Sequence, residues 1–90
     1  MAGLYTVGLT PDGNRLRMIT AGQATSLTLT VSYDDGATWQ PVAVRKTGAG
    51  TFESEPKPPA GATFASVRVT ARGGGSAVTQ TIIRAYAPTP

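Results

Sequence analysis

The segment Ser26–Tyr33 constrains this chain more than any other. Leu27, Leu29, Val31 and Tyr33 alternate with Ser26, Thr28, Thr30 and Ser32. A period of two places the apolar set on one side of an extended strand and the hydroxyls on the other. Such a strand needs a sheet around it and a second layer over its apolar face.

The rest of the chain supplies that sheet. No segment carries a 3.6-residue apolar period over three turns, and Thr, Val, Gly and Pro favour strands and turns. Leu4–Leu9 reads as a first strand, with Tyr5, Val7 and Leu9 on one face. Pro11-Asp12-Gly13-Asn14 reads as a turn, and Arg15–Thr20 as a second strand with Leu16 and Met18 together. Leu27–Tyr33 is the third strand. Trp39–Lys46 is the fourth, with Val42 and Val44 buried. Pairing Val31 with Val42 and Leu29 with Val44 leaves Asp35–Thr38 as a four-residue tip. Thr51–Glu55, centred on Phe52, is the fifth.

Pro56-Lys57-Pro58-Pro59 lacks three backbone donors, so it reads as a surface crossover between sheets. Phe64–Arg72 follows, with Val67, Val69 and Ala71 inward and Ser66, Arg68, Thr70 and Arg72 outward. Gly73-Gly74-Gly75 turns into a last strand, Ala77–Ala87. Its phase is mixed: Val78, Ile82 and Tyr86 share one face and Ile83 lies opposite. A bulge or burial on both faces accounts for that. Residues 88–90 form a tail. Seven strands with a long crossover predict an all-β, immunoglobulin-like or fibronectin-III-like sandwich of antiparallel strands. At 90 residues the chain is one domain, and roughly 63% of its unfolded surface is buried on folding.

Histidine and cysteine are both absent. That removes His- and Cys-based nucleophilic catalysis, thiolate metal sites and disulfides. The carboxylates Asp12, Asp34, Asp35, Glu53 and Glu55 form no pair facing a cleft, as glycoside hydrolysis needs. No catalytic residue, metal ligand set or cofactor is expected. Gly73-Gly74-Gly75-Ser76 lacks the Lys-Ser/Thr of a phosphate loop and joins two strands, so it reads as a hairpin tip. The net charge is +3, but the basic residues are scattered, which does not predict a nucleic-acid partner. Apolar runs are far shorter than the ~20 residues that span a bilayer. The first residues lack the charged and apolar regions of a secretory signal. Export would then depend on a longer parent chain, with Met1 marking where this piece was cut. The expected state is a monomer.

Ser32-Tyr33-Asp34-Asp35-Gly36-Ala37-Thr38-Trp39 fits the pattern Ser-x-Asp-x-Gly-x-Thr-Trp at every specified position. It resembles the Asp-box hairpin of sialidase-like propellers, where such boxes are structural. Asp34 is expected to accept backbone N–H bonds across the tip and Gly36 to supply positive φ. Thr38 adds a hydroxyl bond, and Trp39 folds over the turn. Ser32, Asp34, Gly36, Thr38 and Trp39 are therefore the expected hairpin residues. A ligand face built on Tyr33, Trp39 and Tyr86 is the competing use of the aromatics. A calcium site at Asp34 and Asp35 lacks a third carboxylate nearby.

Over roughly its last 65 residues the chain resembles the C-terminal β-sandwich domain of actinobacterial subtilisin-like secreted serine peptidases. The resemblance rests on LTLTVSYDDGATWQPVAV and on PPAGATFASVRVTARGGGSAVTQTIIRAY. One departure is Arg72-Gly73-Gly74-Gly75-Ser76, where such domains usually carry Asp-x-x-Gly-Asn. The resemblance implies a non-catalytic accessory module outside the cell, whose partner is the catalytic domain of its parent. Polysaccharide or protein substrate is a further expected partner. A carbohydrate-binding module using Trp39 and neighbouring aromatics, and a structural or adhesion module of an extracellular array or virion, are the alternatives.

Overall fold

A computed structural model describes residues 7–20 and 24–89. Eight strands run along the described chain: β1 (Val7–Asp12), β2 (Arg15–Thr20), β3 (Ser26–Ser32), β4 (Gln40–Val42), β5 (Arg45–Gly48), β6 (Thr51–Ser54), β7 (Ala65–Gly73) and β8 (Ser76–Tyr86). They form two antiparallel four-stranded sheets, ordered β1-β2-β6-β5 and β4-β3-β7-β8. Leu16, Met18 and Phe52 from the first sheet meet Leu27, Leu29, Val31, Val67, Val69 and Ala71 from the second in one core. The alternation along β3 thus has the meaning the sequence suggests: its leucines and valine are buried.

The expected strand Trp39–Lys46 is two strands, which makes the count eight. Val42 ends β4 in one sheet and Arg45 begins β5 in the other. Ala43 and Val44 carry the chain between sheets. Ser54 Oγ donates to the Ala43 carbonyl at 2.7 Å, occupying an acceptor that no ladder serves there. The β3–β4 register also differs from expectation. Leu29 faces Val42 and Val31 faces Gln40, a slip of two residues. A slip of two keeps every side chain on its face, so Val42 and Val44 still pack against the core.

Pro11 and Asp12 belong to β1, and the turn is the two residues Gly13-Asn14 between the paired Asp12 and Arg15. Gly13 has φ +62°, which a two-residue hairpin wants at its first central position. At the other tight hairpin, Gly74 and Gly75 both have positive φ, between the paired Gly73 and Ser76. The expected first strand began at Leu4; residues 4–6 lie outside the described residues.

The mixed phase of the last strand is a bulge. Val67 faces Ile82 but Ala65 faces Tyr86, so three residues of β8 oppose Ser66 alone. Arg84 sits in the bulge with φ +56°. Its N–H donates to Ser66 Oγ at 2.9 Å. That explains why Ser66, expected outward, is fully buried. Burial on both faces is not the cause, because Ile82 and Ile83 are both exposed.

The sheets meet along two sides. On one, the chain passes from β4 to β5. On the other, the Gln80 side chain of β8 reaches the backbone of Val7 in β1. Val7 N–H donates to Gln80 Oε1 at 2.8 Å, and Gln80 Nε2 donates to Val7 O at 3.2 Å.

Candidate functional site

The turn between β3 and β4 carries the densest polar network among the described residues. Ser32 leaves β3 with its side chain buried. Its hydroxyl donates to Asp34 Oδ1 at 2.7 Å and accepts the Gly36 N–H at 2.8 Å. Asp34 Oδ1 also accepts the Thr38 N–H at 2.8 Å, and Asp34 Oδ2 accepts the Thr38 hydroxyl at 2.6 Å. The turn can close this way because Asp35 and Gly36 have φ +57° and +93°. Aspartate and glycine are among the residues that tolerate this region.

These bonds set the electrostatics. The Thr38 hydroxyl, then the Ser32 hydroxyl and the Thr38 N–H, hold the Asp34 carboxyl down at about 2. Bonds to the ionised form favour it. The Arg84 guanidinium holds Asp35 below its usual value, first by hydrogen bonding and then by charge. The contact is bidentate, Nε to Oδ1 at 3.1 Å and Nη2 to Oδ2 at 3.0 Å. Arg84 is in turn pushed up by Asp35. The pair joins the turn to the β8 bulge.

Trp39 closes the turn. A Cβ built on Gly36 would lie 3.4 Å from the indole, a close but ordinary contact. Arg68 covers one ring face, its guanidinium carbon 4.3 Å from the centroid. Arg68 Nε also donates to Thr81 Oγ1 at 3.2 Å. On the same surface the Thr70 and Thr79 hydroxyls are bonded at 3.0 Å, and Arg84 lies over Phe64 at 5.0 Å. The outer face of this sheet is thus a mosaic of Arg, Thr and one half-buried indole.

The structure brings Ser32, Asp34, Gly36, Thr38 and Trp39 together in one turn. It does not bring the three aromatics of the candidate ligand face onto one platform. Tyr33 and Tyr86 pack with the core, whereas Trp39 lies under Arg68 on the outward side. Burial pushes the Tyr86 phenol up to about 12, with the nearby Tyr33 adding to the shift, and burial raises Tyr33 as well. Among the described residues no group of three or more Asp and Glu side chains comes together. Both oxygens of Asp34 and of Asp35 are already engaged as acceptors.

Sequence reasoning missed two features. Arg68 and Arg84 complete the turn from β7 and β8, and nothing local to residues 32–39 points to them. A groove of about 910 Å³ runs along the proline crossover, between Pro56–Thr63 and the Asn14, Pro88 and Thr89 edge. Asn14 fixes that edge: its Nδ2 donates to Thr89 O at 2.7 Å and its Oδ1 accepts the Thr89 N–H at 2.9 Å. The clustered prolines were the available signal.

What the fold and turn define is an all-β module of two packed antiparallel sheets. No known protein family matches the chain, and neither a curated protein nor a solved structure matches it.

Proposed function

We propose that the chain is a non-catalytic, immunoglobulin-like accessory sandwich of a secreted hydrolase, most simply a subtilisin-like serine peptidase. It would serve that enzyme's stability, folding or substrate positioning. The observation that carries the reading is the Ser32–Trp39 turn, whose polar atoms bond to one another and to neighbouring strands. A motif spent on its own closure holds a fold together, as an Asp-box hairpin does. The sheet orders support the fold half of the proposal. Lettered A to G with β4 as C′, they become A-B-E-D and C′-C-F-G, the immunoglobulin arrangement.

The test is removal of these 90 residues from the parent hydrolase. Secretion yield, thermal midpoint and substrate preference are compared with and without the module. Loss in at least one supports the reading, and an unchanged enzyme on all three counts overturns it.

A second reading, a structural module of an extracellular array or virion, is favoured by one observation. Phe64, Ile82 and Ile83 are exposed on or beside β7 and β8. Scattered apolar residues are ordinary on a surface, but residues gathered on neighbouring strands favour assembly.

A further inference from the structure

Among the described residues four strands stand at sheet ends: β1, β5, β4 and β8. Proteins guard such edges with charge, proline, bulges or brevity. β1 carries Pro11 and Asp12. β5 carries Arg45 and Lys46 and an irregular register. β4 is three residues long and contains Pro41. β8 differs. From Ser76 to Ile83 it has no charge, proline or glycine, and its only interruption is the bulge beyond Ile82.

This stretch, unpaired on its outer side by any described strand, is also self-complementary. Val78-Thr79-Gln80-Thr81-Ile82 reads nearly the same in both directions. Val78, Gln80 and Ile82 face Ala71, Val69 and Val67 and so take the inner side of the sheet. Thr79 and Thr81 face Thr70 and Arg68 on the outer side. An antiparallel partner related by a two-fold axis at Gln80 sets Val78 against Ile82 twice on one face and Thr79 against Thr81 twice on the other. β-branched and Thr–Thr pairs are favourable cross-strand neighbours, and no like charges meet. A two-fold contact pairs residue i with j and j with i, so each of these neighbours occurs twice.

We propose that β8 is a homodimerisation edge, and that two copies of this chain pair β8 to β8 about Gln80 to form one continuous eight-stranded sheet. This replaces the monomer expected from sequence. It holds whether the module serves a hydrolase or an array. Ile82, exposed at the edge of one copy, gains Val78 of the other as a neighbour.

Analytical ultracentrifugation over a concentration series tests it first. The mass should rise from 9.2 kDa toward twice that value. Ile82→Lys should abolish the rise, while Ile19→Lys, on an exposed residue of β2, should leave it. Register is read by crosslinking, since the chain has no native cysteine. Thr79→Cys mixed with Thr81→Cys should give a disulfide-linked dimer under mild oxidation, and either variant alone should not. Circular dichroism verifies that each variant is folded. A monomer at every concentration overturns the proposal. So does a dimer that survives Ile82→Lys, or crosslinking by Thr79→Cys alone.

Discussion

Asp34 is the residue on which the turn depends, and its chemistry fixes a pH window. Its folded value of about 2 lies below the ordinary 3.8. A depressed carboxylate stabilises the fold fully above the unfolded value and loses that contribution as pH falls through the folded one. Acid denaturation curves of the protein and of Asp34→Asn should therefore converge between about pH 4 and pH 2. Carboxyl-carbon NMR should place the Asp34 midpoint near the lower end. Tyr86 acts in the opposite sense. Its phenol is raised from 10.0 to about 12, so its contribution is complete below pH 10.0 and lost as pH rises through about 12. Phenolate absorbance of the protein against Tyr86→Phe checks the late titration. Phe52 is almost wholly buried, and Phe52→Ala should cost about 3–5 kcal/mol in urea unfolding. At this scale the sequence was a good guide. Ser32, Asp34, Gly36, Thr38 and Trp39 lie within eight positions, so their spacing announces the turn. Arg84 reaches Asp35 from 49 positions away, and no local pattern encodes that contact.

At the scale of elements, alternation fixes which side chains face inward but not where strands begin or pair. β3 and β7 were legible because each keeps its period over many residues. The division of β4 from β5 was not. Val42 and Val44 alternate straight through the change of sheet, so the hydrophobic pattern has no break there. The register slip has the same origin: a two-residue shift preserves both faces, and the side-chain bonds of the turn decide the offset. Two substitutions probe these elements. Gly36→Ala introduces a Cβ at φ +93° and should destabilise by about 1–2 kcal/mol. Ser66→Ala removes the acceptor of the Arg84 N–H in the bulge. It should cost about 1–3 kcal/mol, with faster hydrogen exchange at Arg84 than at Val69.

For the whole molecule, composition and turn spacing predict strands packed as a sandwich or closed as a barrel, and the long proline crossover favours two packed sheets. Composition could not reveal how the four edges differ. Each edge's exposure follows from sheet order, a property of long-range pairing. The Glu53 carboxylate illustrates the same level of organisation. It lies between Arg17 at 3.7 Å and Arg45 at 3.2 Å, one from each neighbouring strand. Pairs this exposed contribute little individually. The groove beside the proline crossover belongs here too, since Asn14 and Thr89 meet across nearly the full length of the chain.

The link between Gln80 and Val7 has a dynamic consequence. The two sheets are the covers of a book. Ala43 and Val44 are its stitched spine, covalent and unable to part. The opposite margin is fastened by primary amides, Gln80 on Val7 and Asn14 on Thr89, a catch that thermal motion can undo without unfolding either cover. Breathing of the domain should therefore start at that margin and swing about the spine. Gln80→Ala should raise the exchange of β1 amides well before those of β3, at a cost of about 1–3 kcal/mol for the two bonds. Between openings, the same catch decides how long the apolar pages stay dry.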